Sequence, residues 1–355
     1  MSGESADPNL EIVGYLLHHL DLKSKTCEVA SPPKDASELN EYLAALLSEV
    51  QDSKQSRSYE LEQVETSFCD LLTHFSIDSS AFGPGLAEKL AQDLLEAEIE
   101  TEERYKNLAK DKKGLIKKGS FLQCIYLIGK EPHYLAVKIE HESFIHEDDF
   151  SRKFGLGESR KLYKACMVLF DEQKHPVRYL VFDTNQTPAV YWTRDVFGLK
   201  PVRNDAENTK VAIKQVVTSL GRIKSESLID YNLLRNASIA AFKKKGVMNF
   251  DSFVEEVFAS YEPHSKSLKE KWPKVVERIA KLLEGGKFDG QFNLVPSAVG
   301  YTSQKIKLDP QMTLVYEEGA ADLESKVWAS KTKDGRNVVV IDAPDAIDQF
   351  QFKEW

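Results

Sequence analysis

The sequence predicts an α+β protein: an N-terminal, largely antiparallel sheet with packed helices, then a helical middle region, then a small C-terminal region containing strands. Three observations carry that expectation. Two pairs of apolar runs flank short turns near residues 130 and 175, helical spacing dominates from 208 to 283, and Gly285 and Gly286 are followed by short alternating runs. These place domains at 1–200, 201–286 and 287–355.

Taken in order, residues 11–20 read as a strand, 26–29 as a short return, and Pro32 and Pro33 as a break. Ser37 suits a helix N-cap, with Leu39, Leu43, Leu46, Leu47 and Val50 at helical spacing behind it. A second helix is expected over 64–75. Gly83, Pro84 and Gly85 precede a long third one, with Leu86, Leu90, Leu94 and Tyr105 as inner positions. Residues 121–128 and 134–140 form one hairpin, and 165–170 and 177–182 another. The first strand of each is apolar on both faces, as in a covered sheet. Trp192 and Phe197 mark an apolar helical face whose default role is core packing rather than base stacking. Further on, Ile213, Val216, Val217 and Leu220 share a face, as do Ile229, Leu233, Leu234 and Ala237. The tail reads as strands at 305–308, 314–317 and 337–341.

The chain has 355 residues, with 47 Lys and Arg against 56 Asp and Glu, a net charge of −9. At 42% hydrophobic and 10% aromatic residues it has the material for folded cores, so disorder is excluded as its overall state. No apolar run approaches the roughly 20 residues of a spanning helix. The first residues carry neither a basic stretch nor a long apolar one, so no secretory signal is legible. Cys27, Cys69, Cys124 and Cys166 lie far apart, which fits reduced thiols in a cytoplasmic protein rather than a disulfide framework or a zinc site.

Charge is unevenly distributed. Residues 88–103 hold seven acidic groups against Lys89. Residues 104–118 reverse this, with Arg104, Lys106, Lys110, Lys112, Lys113, Lys117 and Lys118 against Asp111 alone. A solvated helix with ends matched to its dipole explains the pattern by itself. The functional alternative is a basic patch that sits on phosphates and releases their counterions. Smaller clusters are Arg152, Lys153, Arg160, Lys161 and Lys164, and the run Lys243, Lys244, Lys245.

Catalytic motifs are scarce. There is no phosphate-binding glycine loop, zinc-protease motif or nucleophile elbow. His141, His146, Glu147, Asp148 and Asp149 include metal-ligating types, but a solvated acidic loop accounts for them and no metal or cofactor is expected. Glu324 and Lys326 match half of a restriction-type nuclease motif, on a helix rather than a strand. His18 and His19 are adjacent strand residues that face opposite ways, so they cannot share an ion.

Several segments together resemble the bacterial 37-kDa nucleoid-associated protein family (YejK/NdpA-like). They are 178–182, Tyr191 with Trp192, 195–199, Asn208 with Thr209, and the tail positions Gly300, Lys305, Ile306, Asp309, Pro310, Leu314, Gly319 and Leu323. Residues 119–137 and 12–20 are also similar, while the chain after about 325 lies outside the likeness. The resemblance implies a cytoplasmic protein of the nucleoid that binds double-stranded DNA, near topoisomerases, with no catalytic residues to carry over. The expected function is therefore non-enzymatic, sequence-independent DNA binding by a homo-oligomer. The basic residues named above supply the contacts. A second expectation is an adaptor for a topoisomerase or a phage-defence complex, gripping a basic partner with Glu98, Glu100, Glu102 and Glu103. A metal-dependent nuclease is the third.

Overall fold

A computed structural model describes residues 10–30, 41–42, 45–46, 48, 50, 56–77, 82–83, 85–105, 116, 119–145, 152–156, 162–183 and 189–351. The fold is α+β, as expected. The chain divides into two units, Met1–Asn204 with Asp289–Gln291, and Asp205–Phe288 with Phe292–Trp355. Among the described residues no helix is long and apolar enough to cross a membrane.

The first unit is built on one sheet. Its strands are β1 (Leu10–Asp21), β2 (Thr26–Val29), β3 (Arg57–Leu61), β4 (Gly119–Ile128), β5 (Glu131–Ile145), β6 (Arg152–Leu156), β7 (Leu162–Phe170), β8 (Pro176–Asp183) and β9 (Leu199–Pro201). They run in the order β2-β1-β4-β5-β7-β8-β3-β9, with β6 paired to β5, and each of these pairings is antiparallel. Short turns explain why β1 and β2, β4 and β5, and β7 and β8 are neighbours. The turn into β5 is tighter than expected. Gly129 takes φ +63°, which a glycine adopts without strain, and β5 begins at Glu131.

Register assigns the faces, because residues opposite one another lie on the same side. Gln123, Ala136, Cys166 and Val181 form one row, and Cys124, Leu135, Met167 and Leu180 the next, on the other side. Helices α1 (Ser67–Ile77) and α2 (Leu86–Tyr105) cover the first face, packing Phe68, Leu71, Leu90 and Leu94 on Ala136 and Cys166. Leu46 and Val50 pack on the second, where Leu122, Leu135 and Val137 lie. The sheet is covered on both sides, which is why β4 and β5 read as continuous apolar runs. Trp192 and Phe197 are fully buried, stacked edge-to-face 4.8 Å apart around a π-helical turn, Tyr191–Val196.

In α2 the buried stripe is Ala87, Leu90, Ala91, Leu94, Leu95 and Glu98. Tyr105 continues the stripe but is 42% exposed, contrary to expectation, because the covered part ends at Glu98. The helix expected behind Ser37 begins outside the described residues.

The second unit holds α3 (Asp205–Leu220), α4 (Leu228–Lys243), α5 (Phe250–Val254), α6 (Lys266–Ala280) and α7 (Leu323–Lys326). Two three-residue strands, β10 (Val247–Asn249) and β11 (Gln291–Asn293), are followed by the hairpins β12 (Ser303–Lys307) with β13 (Thr313–Glu317), and β14 (Val327–Lys331) with β15 (Asn337–Ile341). The regions that sequence reading separated at 286 share a core here. Phe288, Phe292 and Val299 pack with Phe250, Phe253 and the helices. Polar bonds add to it: Arg235 pairs with Glu318, and Asn236 accepts from the Gly319 N–H at 2.8 Å while donating to the Ala320 carbonyl at 2.8 Å.

The buried face of α4 also differs from expectation. Ile229 is 60% exposed and Ala237 is exposed, whereas Asp230, Leu234, Ser238, Ile239 and Phe242 point inward. A carboxylate in the stripe misleads an apolar count. Asp230 is buried because it accepts from Tyr261 Oη at 2.6 Å, from the His264 N–H at 2.8 Å and from the Ser265 N–H at 3.2 Å, tying α4 to the start of α6.

Candidate nucleic-acid interface

Several strand ends and the last turns of α2 meet at one end of the first unit's sheet. β1 ends there at Asp21 and β4 begins at Gly119, opposite Leu20 and Glu140. β7 begins at Leu162, opposite Ile139, and β8 ends at Asp183, opposite Lys164. β5 runs on past that line to Ile145 and pairs there with β6. The last turns of α2 reach the same end: Glu98 bonds Lys138, Glu102 accepts from the Ile116 N–H at 3.0 Å, and Glu103 lies 4.0 Å from Lys25 in the β1–β2 turn.

Arg104 is exposed on the last turn of α2. The described part of α2 ends at Tyr105, and Ile116 is held to that helix by Glu102. Lys106, Lys110, Lys112, Lys113, Lys117 and Lys118 lie between Tyr105 and Gly119 and fall outside the described residues, as do Arg160 and Lys161. Arg152 and Lys153 sit on β6, opposite Ile145 and Phe144.

Two expected contacts are corrected. Lys164 is 5% exposed, and its Nζ donates to both oxygens of Asp183, at 2.9 and 3.2 Å. The strand starts three residues earlier than the sequence suggested, which draws Lys164 off a loop and into the covered sheet. Lys243, in the second unit, ends α4 and donates to the Glu318 carbonyl at 2.6 Å. Its Nζ also lies 3.6 Å from Glu317 Oε1, so it ties the end of α4 to the end of β13. Lys244 and Lys245 are exposed. The acidic grip expected of α2 is also corrected at Glu98, which is fully buried.

The buried charges beneath this end are matched in sign. Lys138 Nζ lies 2.7 Å from Glu98 Oε2, and Lys164 faces Asp183. Burial pushes the Glu98 carboxyl up, while Lys138 opposes that shift. Each carboxylate is answered by an ammonium, so the pairs add little net field. The potential at this end is left to exposed groups such as Arg104. Sequence reading missed Lys138 and the burial of Glu98, although a lone lysine inside the apolar run 134–139 was the available signal.

The histidines behave as strand geometry requires. His18 is buried, and burial lowers its pKa, so it is neutral. His19 faces the other side, where Ser120 Oγ lies 2.9 Å from His19 Nδ1 and 2.7 Å from His141 Nε2. The one hydroxyl thus bridges both imidazole rings. Among the described residues no three His, Cys, Asp or Glu side chains are placed to hold a metal ion. His146, Glu147, Asp148 and Asp149 lie outside those residues. Glu324 and Lys326 are exposed on the four-residue helix α7, not on a strand.

Among the described residues Arg104 is an exposed cation at this sheet end, β6 carries Arg152 and Lys153, and the buried carboxylates Glu98 and Asp183 are each paired with a lysine. Compared with known proteins, the chain matches no family model and no curated protein.

Proposed function

We propose that the protein binds double-stranded DNA through the phosphate backbone, without reading bases, and that it acts with the nucleoid as a homo-oligomer. One observation supports this most. The segment carrying Lys106–Lys118 starts beside Arg104 and ends at Gly119, at the end of the sheet where β5 and β6 bring Arg152 and Lys153. The end of α2, Gly119 at the close of the basic stretch, and β6 thus lie at one locality, which the separate clusters in sequence only suggest. The resemblance to nucleoid-associated proteins points the same way.

The net charge of −9 sets the strength of such binding. Glu147, Asp148 and Asp149 connect β5 to β6 and temper the local field, so affinity is modest and falls steeply with salt. A gel-shift series with linear, supercoiled and single-stranded DNA at two salt concentrations tests the reading. Duplex DNA is shifted at low salt and released at high salt. Failure to shift any duplex at low salt contradicts it.

A further inference from the structure

β14 and β15 form a hairpin with no third strand among the described residues. A two-stranded ribbon is marginal in water unless something packs on it or extends it. This one is rich in apolar groups that nothing fully covers: Trp328 is 43% exposed, Val339 43% and Ile341 45%, with Val338 and Val340 half-buried.

The free edge is readable residue by residue. The Asp342 N–H donates to the Lys326 carbonyl at 2.8 Å, and the Arg336 carbonyl accepts from Thr332 at 3.0 Å. Even-numbered residues of β15 therefore turn their backbone groups toward β14, and Asn337, Val339 and Ile341 turn theirs outward. Natural edges are guarded by charge, proline or a bulge. Here the five residues between Arg336 and Asp342 are uncharged and lack proline, and the pairing with β14 runs without a register shift.

The edge is also its own complement. Antiparallel pairing of two β15 strands centred on Val339 sets Val338 opposite Val340 and Asn337 opposite Ile341. It also sets Arg336 of one copy opposite Asp342 of the other. Pairing two β14 strands about Ala329 would instead set Val327 opposite Lys331 and match no charges. We propose that β15 pairs with β15 of a second copy of this chain about a two-fold axis through Val339, making a four-stranded sheet. The outward groups of Asn337, Val339 and Ile341 form about six backbone hydrogen bonds across the axis. This interface rests on the homo-oligomer of the proposed function and says how it forms; it is tested without nucleic acid, so its failure leaves the DNA-binding reading to its own test.

The register predicts which cysteines meet. Val338 and Val340 face each other as a non-hydrogen-bonded pair, about 4.5 Å apart at Cα, within disulfide reach. Full-length Val338→Cys and Val340→Cys proteins, oxidised after mixing, give a covalent dimer on a non-reducing gel. Each alone gives at least about tenfold less, with the parent chain as control for Cys27 and Cys69. Val339→Pro removes an outward N–H and leaves the hairpin's own bonds in place, so it weakens the dimer by about tenfold or more in sedimentation. Arg336→Glu weakens it too, and adding Asp342→Arg restores it. A parent that sediments as a monomer at about 100 µM overturns the proposal, leaving the edge for a different protein. So does a dimer untouched by Val339→Pro and by the charge swap, which places the interface elsewhere while keeping the oligomer. Equal cross-linking of the single and mixed samples also overturns it.

Discussion

Lys138 and Glu98 show what a charge does when a covered sheet takes it in. Neither is exposed enough to act on a ligand, and each cancels the other at 2.7 Å. Removing one partner strands the other in a dry interior, so Lys138→Met destabilises the first unit by about 3–5 kcal/mol in a urea melt. Replacing both, Lys138→Met with Glu98→Leu, returns most of that loss, since apolar groups of similar size pack where the pair stood. A single variant no worse than the double contradicts the pairing. Asp230 makes a second residue-scale prediction. Burial raises its pKa, but the bonds from Ser227, Tyr261, His264 and Ser265 outweigh that and hold it at about 2, below the ordinary 3.8. A depressed carboxyl contributes stability that is full above pH 3.8 and is lost as pH falls through 2. The contribution is roughly 2 kcal/mol. Asp230→Asn therefore lowers stability at neutral pH and flattens its decline between pH 4 and 2, as pH-dependent melts of the two proteins show.

Elements were legible where turn chemistry and periodicity agreed. The two central hairpins, the α2 stripe from Leu90 to Leu94 and the β12–β13 pair follow directly from spacing and from Gly129, Pro176 and Asp309. β3 and β14 were missed because their sequences, Arg57–Leu61 and Val327–Lys331, mix polar and apolar residues; β3 becomes a strand through the distant β8 and β9, and β14 through its hairpin with β15. Strand ends were the costly error. Starting β7 at Ala165 rather than Leu162 turned a buried lysine into a supposed phosphate contact. Gly119 illustrates the opposite case, a residue whose necessity only the structure reveals. A Cβ there falls far inside van der Waals contact with the Ile139 carbonyl of β5, so the start of β4 tolerates nothing larger than hydrogen. Gly119→Ala opens that end of the sheet, at a cost of about 1–3 kcal/mol, and hydrogen exchange speeds up at β4 and β5 amides near residues 119 and 140. Unchanged protection at those amides contradicts the close approach.

At the scale of the whole molecule, an acidic protein with two folded units keeps its functional possibilities local. Charge runs told which segments were basic; they were silent on whether those segments meet, because meeting is decided by strand order. The order β1-β4-β5-β7-β8 brings Lys25, Ile116, β6 and the end of α2 to one sheet end. Lys164 and Lys243 drop out of the contact set, and the others remain as the basis of the proposal. The most direct measurement is the affinity of the full-length protein for a duplex across a salt series, beside a variant with Lys112, Lys113, Lys117 and Lys118 changed together to Glu. The account predicts that log affinity falls linearly with log salt for the parent. The variant should lose at least tenfold in affinity and show a slope shallower by several units. Equal affinity and equal slope for the two proteins would contradict it.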